Sequence, residues 1–332
     1  MSELNKILLD KIKDNCDKNI SFIEEVAEIL DINYDAAYRR IKKKTKLSLE
    51  DAVKLAINFD VSLDSLYEEK LSKNKVIIRK SNNVATLNDL EAYFIGIIKN
   101  ITPLQNRDDV EIVYSAKDLP LFYFARNPLF ARFKLYTILY LQDKTLSINK
   151  IDFNTFHIPK TLQDLTTKFG EYYYNFDITE IWNDGVLDAT INQILYFYEI
   201  KLLNYTTAIK LCDILKSIIE DIEKSTFTGR RDNNRKSKIK IFNSPLLPLN
   251  NNVVIKNKNK NILITPYLMI NYYVIEDQKF IRDYLEFIDD HLKFSTSLTK
   301  AGVKERLLFF NPKYKQIDRA KQRLELLRQF PL

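Results

Sequence analysis

Residues 33–46 read NYDAAYRRIKKKTK, the densest group in the chain of side chains suited to recognition chemistry. Its last eight residues carry six basic groups and no acid. Cations in that number neutralise phosphates and release their counterions. The residues just before them are suited to a different task. Asn33, Tyr34, Asp35, Tyr38, Arg39 and Lys42 carry donors and acceptors that can meet the edges of base pairs. The spacing separates the two tasks from packing. At about 100° per residue of helix, Ala37 and Ile41 form one thin apolar seam, and Asp35, Tyr38, Arg39 and Lys42 turn to the opposite side.

Other chemistries lack their residues. The five glycines, Gly96, Gly170, Gly185, Gly229 and Gly302, are too far apart for a dinucleotide fingerprint, a phosphate loop or a nucleophile elbow. Cys16, Cys212, His157 and His291 are the only cysteines and histidines, and no two lie within ten residues. A zinc site needs a clustered pair, so neither metal nor cofactor is expected, and the chain does not read as an enzyme. Two unlinked cysteines suit a reducing cytoplasm. The first residues lack the apolar run of a secretion signal. The greasiest stretch, 119–141, contains Arg126, Arg132 and Lys134, too many charges for a membrane span.

The elements that must position the 33–46 stretch are short helices with clear start signals. Residues 3–15 place Leu4, Ile7, Leu8 and Ile12 at helical spacing. Ser21 with Glu24 reads as a capping box that starts a second helix near Phe22, with Ile23, Val26, Ala27 and Leu30 on one face. Asp31-Ile32-Asn33 is a tight turn, and Asn33 is a good N-cap for the third helix. Ser48 with Asp51 starts a fourth, and Ser62 a short fifth. Helices joined by a three-residue turn make a helix-turn-helix pattern.

The stretch resembles the lambda-repressor/Cro-like, XRE-type DNA-binding domain over about residues 3–68. The residues that carry the resemblance are Val26 to Asn33, Ala37 to Ile41, Leu47 to Glu50 and Val61 to Asp64. Two positions depart from the pattern: Asp31 stands where the turn often has glycine, and Ile23 where the second helix often has glutamine. The resemblance implies a sequence-specific repressor or activator, commonly dimeric on a palindromic operator. Asn33, Tyr34, Asp35, Tyr38, Arg39 and Lys42 are then the expected base contacts. Ser21, Arg40, Lys43, Lys44 and Lys46 are the expected phosphate contacts.

The chain has 332 residues, which predicts about two domains. Low glycine and abundant Leu, Ile, Lys and Glu favour a mainly α fold. The expected division is a five-helix DNA-binding domain at 1–70, a linker at 71–83, a helical, aromatic-rich dimerisation or sensor domain at 84–228, and a small α+β module at 229–332. Leu87, Leu90, Phe94, Ile97 and Ile101 repeat at alternating three and four. That seam would serve as a dimer helix, or else pack on its own domain. The aromatic run 112–141 reads as a core of large side chains, with a ligand pocket or stacking platform as the alternative. Residues 188–203 and 206–223 read as two long helices with Cys212 on their seam. The period changes after 240, where residues 238–242, 252–255 and 261–275 read as strands and Pro266 requires an edge or a break. Ser295, Ser297, Lys300, Lys304 and Arg306 gather hydroxyls and basic groups that could cradle an anion, or form an ordinary loop before a helix.

Net charge is +7 and the pI is near 9.0. The expected partners are double-stranded DNA, a second copy of the chain, and a small-molecule or protein effector. The alternative expectation is a protein-interaction scaffold whose head docks a protein partner.

Overall fold

The computed structural model describes residues 3–16, 21–42, 44–63, 66, 76–105, 107–143, 148–231 and 237–330. Two compact units divide the chain, Met1–Ile77 and Ile78–Leu332.

The first unit contains four described helices: α1 (Glu3–Asn15), α2 (Phe22–Leu30), α3 (Tyr34–Ile41) and α4 (Leu49–Asn58). Leu8, Leu9 and Ile12 of α1 meet Val26 and Leu30 of α2, Ala37 of α3, and Leu55 and Phe59 around α4 in one small core. Half of the expected fifth helix, which opens at Ser62, lies outside the described residues, namely Asp64, Ser65 and Tyr67.

The second unit overturns the expectation of a mainly α chain. Among the described residues, eight strands form one mixed sheet, so the fold is α/β. The strands are β1 (Ile78–Lys80), β2 (Glu111–Ala116), β3 (Asp177–Trp182), β4 (Ile239–Asn243), β5 (Asn252–Lys256), β6 (Ile262–Leu268), β7 (Asn271–Ile275) and β8 (Thr296–Ser297). Their order is β1-β7-β6-β5-β2-β3-β4-β8. The stretch read as a helical middle domain supplies β2 and β3 at the centre. The stretch read as a small separate module supplies β4 to β8 of the same sheet.

β2, β3 and β4 run parallel, and the other pairings are antiparallel. Parallel neighbours need crossover segments, which here are helical. From β2 to β3 the chain passes through α6 (Leu121–Ala125), α7 (Pro128–Gln142) and α8 (Lys160–Tyr173), after α5 (Leu87–Ile101) has led into the sheet. From β3 to β4 it passes through α9 (Asp188–Glu199) and α10 (Tyr205–Thr228). Start signals account for the boundaries. Thr86 and Asp89 form a capping box at α5, the Asn127 side chain accepts from Leu129 and Phe130 ahead of Pro128, and Asn204 caps α10. Ile112, Tyr114, Ala116, Ile178, Trp182, Ile239 and Ile241 point from the sheet into one large core with these helices. Phe124, Phe130, Phe133, Tyr136, Phe153 and Phe197 fill it, so the aromatic run is core.

On the other face, α11 (Gln278–Leu292) brings the Tyr284 hydroxyl to Ser115 Oγ at 3.3 Å. The last helix, α12 (Val303–Gln329), runs through Pro312 and packs on α9 and α10. Lys321 pairs with Asp213 at 2.6 Å and Lys216 with Asp318 at 3.2 Å across that contact. Pro266 lies beyond Ile264, where β6 stops pairing with β5, and a register shift follows it on the β7 side. Its missing N–H is tolerated there.

At the centre of the parallel strands lies Glu180, fully buried. Its Oε1 accepts from Tyr123 Oη at 2.7 Å, Tyr173 Oη at 2.9 Å and Arg231 Nη2 at 2.6 Å, and its Oε2 from Trp182 Nε1 at 2.7 Å. The Arg231 guanidinium lies 4.4, 4.8 and 5.2 Å from the ring centres of Tyr173, Tyr174 and Tyr123. Among the described residues its buried Nε and Nη1 meet no hydrogen-bond partner, and ring faces stand in for part of its solvation. Burial and the adjacent carboxylate push the Tyr123 and Tyr173 hydroxyls well above their ordinary range, which keeps both protonated as donors.

Two outcomes follow from this packing. Glu180→Gln leaves the Arg231 charge buried and uncompensated, and should lower stability by about 3–5 kcal/mol in urea unfolding. Adding Arg231→Met should recover part of that loss, and a single-variant cost under about 1 kcal/mol would show that the pair is not the constraint. Burial pushes the Cys212 thiol up to about 12. With Cys16 half-buried and Cys212 buried, an aromatic disulfide reagent at pH 8 should find Cys16 in the native chain and Cys212 only after denaturation.

Candidate functional site

The best-built candidate surface is the outer face of α3. Its position is fixed by the turn before it. Asp31 adopts φ 53°, ψ 51°, the left-handed conformation. The Ile32 N–H donates to Ala27 O at 3.0 Å and the Asp31 N–H to Glu28 O at 3.2 Å. These are the two closing bonds of a Schellman turn, usually made around glycine. The Asn33 side chain then accepts from Ala36 N at 2.8 Å and starts α3. Ile32 packs against the core of the unit, so three residues suffice to reverse the chain.

Ala37 is fully buried and Ile41 packs beside it. That burial turns Tyr34, Asp35, Tyr38, Arg39 and Lys42 outward, and all five are exposed. The Arg39 Nε donates to Asp35 O at 3.3 Å, and the Lys42 ammonium lies 5.9 Å from the Tyr38 ring centre. Beyond the helix, the N–H groups of Lys44 and Thr45 both donate to Arg39 O, at 2.8 and 3.2 Å. This closed turn presents Lys44 and Lys46 on an exposed loop, while Lys43 lies outside the described residues. Ser21 stands at the N-cap of α2, but its hydroxyl makes no capping bond, so the expected box with Glu24 does not form.

Arg40 differs from its neighbours. Its Nε meets Asp51 Oδ2 at 3.1 Å, and both side chains are largely covered. Asp51 also accepts from Ser48 N, within a complete capping box at the start of α4. The pair therefore ties α3 to α4 and sets the inclination of the outer face. The sequence signal was present: the Ser48 box places a carboxylate at a helix start, available to an arginine one helix earlier.

The other expected sites have different placements. Leu90 and Phe94 are fully buried within the second unit, and Leu87, Ile97 and Ile101 pack against the same core. That seam packs inside its own fold, against α8. The five residues of the expected anion cradle make separate contacts. The Ser295 hydroxyl donates to His291 O and the Ser297 hydroxyl to Thr299 O. Arg306 donates to Ala301 O and lies against the Phe227 ring. Lys300 bonds to Thr226 O through its backbone N–H, and Lys304 lines an apolar groove on α12.

Among the described residues, no three His, Cys, Asp or Glu side chains group as a metal ion requires. No helix among them is long and apolar enough to cross a membrane. Compared with protein families, with curated proteins and with solved structures, the chain matches none.

The left-handed turn gives a direct test. Asp31→Gly should stabilise the first unit by up to about 1 kcal/mol, because a non-glycine residue in that conformation costs about 1–2 kcal/mol. Asp31→Val should destabilise it by at least as much. Amide exchange of α2 and α3 reads both, and equal protection in the two variants would place the strain elsewhere.

Proposed function

We propose that the chain is a sequence-specific DNA-binding transcriptional regulator of the helix-turn-helix type, with α3 entering the major groove. The observation that carries this reading is the sorting of side chains on α3. One buried alanine and one packed isoleucine hold the helix down, and every other group on the outer side is polar, aromatic or basic and exposed. The helix is eight residues long, about 12 Å at 1.5 Å per residue, short enough to lie along one groove contact. Asp35, Tyr38, Arg39 and Lys42 then face base edges. Lys43, Lys44 and Lys46 follow the helix end and meet the phosphate backbone, where charge adds affinity without sequence preference.

In this reading the chain acts in the cytoplasm as a dimer on a palindromic operator and is not an enzyme. The Ile78–Leu332 unit pairs the copies or senses a small-molecule or protein effector. One head covers a half-site, which offers too little base contact for selection against a genome of competitors.

The test is selection from random DNA duplexes with the full chain. A palindromic motif is the expected result. No enrichment would remove the reading and favour a head that docks protein. On a selected site, Arg39→Ala should lose about 1–3 kcal/mol, the worth of one bidentate contact to guanine. Unchanged affinity would mean that Arg39 does not read bases. Neutralising Lys43, Lys44 and Lys46 together should flatten the slope of log affinity against log salt by roughly 2.7, at about 0.9 per phosphate contact. A slope that does not move would place these lysines away from DNA.

A further inference from the structure

Residues 33–46 carry six basic side chains and a single acid, Asp35. An acid on a basic face repels every phosphate backbone alike, so it weakens binding to any duplex. Its position on the helix shows what it gives in return. At about 100° per residue, Arg39 points directly away from the midpoint of Ala37 and Ile41, the two residues that hold α3 down. Asp35 stands about 40° from that line, Lys42 about 60° and Tyr38 about 100°. Arg40, on the flank, is paired with Asp51. Asp35 and Arg39 are therefore the two side chains of α3 that point most nearly away from the core, and both are exposed.

Their hydrogen-bonding capacities differ. The Arg39 Nε donates to the Asp35 backbone carbonyl at 3.3 Å. That bond spends neither the Asp35 carboxylate nor the two terminal nitrogens of the guanidinium. Two terminal nitrogens match the O6 and N7 acceptors of guanine. The carboxylate only accepts. In the major groove guanine and thymine present it with acceptors, which it repels. Cytosine N4 and adenine N6 present donors, but adenine sets its N7 acceptor beside that amino group. Cytosine is the base that suits Asp35 best.

The spacing fixes how far apart the two bases lie. Four residues of helix advance about 6 Å at 1.5 Å per residue. Stacked base pairs rise about 3.4 Å each, so a helix lying along the groove brings Asp35 and Arg39 to base pairs two steps apart.

We infer that Asp35 and Arg39 together select the half-site, Asp35 accepting from a cytosine amino group and Arg39 donating to a guanine two base pairs away. The inference rests on the regulator reading of α3 and names the bases that this helix chooses. Asp35 acts mainly by exclusion: against guanine or thymine its charge meets an acceptor and finds no donor. The affinity it costs on every duplex is recovered only where cytosine answers it.

Selection from random duplexes with the full chain and with its Asp35→Asn variant tests it, followed by titration of the parent's selected duplex and its single-base changes. The parent should enrich two G·C pairs with one base pair between them in each half-site. Asparagine both donates and accepts, and pairs with adenine N6 and N7. Asp35→Asn should therefore move the preference at one of the two positions from cytosine to adenine by at least fivefold and leave the other position unchanged. It should also tighten binding to a random duplex, because one repelled charge is gone. Arg39→Ala should relax the other position alone. Both side chains are exposed, so the variants should fold, which circular dichroism checks. A selected motif without the two G·C positions, or an Asp35→Asn chain that keeps the parent's base preference, would overturn the inference and leave the regulator reading standing. Equal weakening of Asp35→Asn on every duplex would show that Asp35 only steadies the helix, and would overturn it too. A parent that enriches no duplex would remove the regulator reading and this inference together.

Discussion

The second unit depends on one buried carboxylate. Glu180 sits on the middle strand of the three parallel ones, beside Tyr114 on β2 and Ile241 on β4. An isolated charge there would cost several kcal/mol in lost hydration. Four donors offset it, and they come from distant parts of the chain: Tyr123 from α6, Tyr173 from α8, Trp182 from the strand itself, and Arg231 from just beyond α10. Each donor must arrive for the charge to be tolerated. The cluster therefore fixes both crossovers against the sheet, as well as β3 itself. Hydrophobic burial alone could accept several packings of these aromatic helices, but the directional bonds accept few.

The first unit is held differently. Its core is small, and no described residue of it carries a buried charge pair as closed as that of Glu180. Local devices do more of the work: the left-handed Asp31, the Asn33 cap, the Ser48–Asp51 box and the partly covered Arg40–Asp51 pair. All of them act within about thirty residues of sequence and leave the outer side of α3 unencumbered. A surface that must match a partner benefits from this arrangement, because its side chains are not needed for folding.

Local devices are also what a sequence displays. The helix starts at Asn33 and Ser48, the α3 seam of Ala37 and Ile41, the aromatic core and the buried Cys212 were all legible from residue type and spacing. Several elements were not. β3 sits in a stretch whose strand pattern is hidden, since Glu180 and Trp182 occupy inward positions where a run of aliphatics would announce a strand. Proline ordinarily ends or kinks a helix, yet α12 continues through Pro312. The buried Phe309, Phe310, Ile317, Ala320 and Leu324 on both sides outweigh a lost hydrogen bond. Ile78-Arg79-Lys80 read as linker and is an edge strand on β7, its three exposed residues held by pairing with Tyr273 to Ile275.

The sequence by itself determined where several helices begin, which side of α3 is apolar, and that its glycines, cysteines and histidines stand too far apart along the chain for the local motifs built on them. Those properties follow from backbone preferences and side-chain chemistry over a turn or two. Only the tertiary structure decided that the strands on both sides of residue 228 belong to one sheet, that the α5 seam faces inward, and that Arg40 answers Asp51. It also decided that Arg231, one basic residue in a basic run, is the counter-ion of Glu180. Partner choice between residues tens of positions apart depends on which surfaces remain to be covered once the helices form, and no local pattern encodes that.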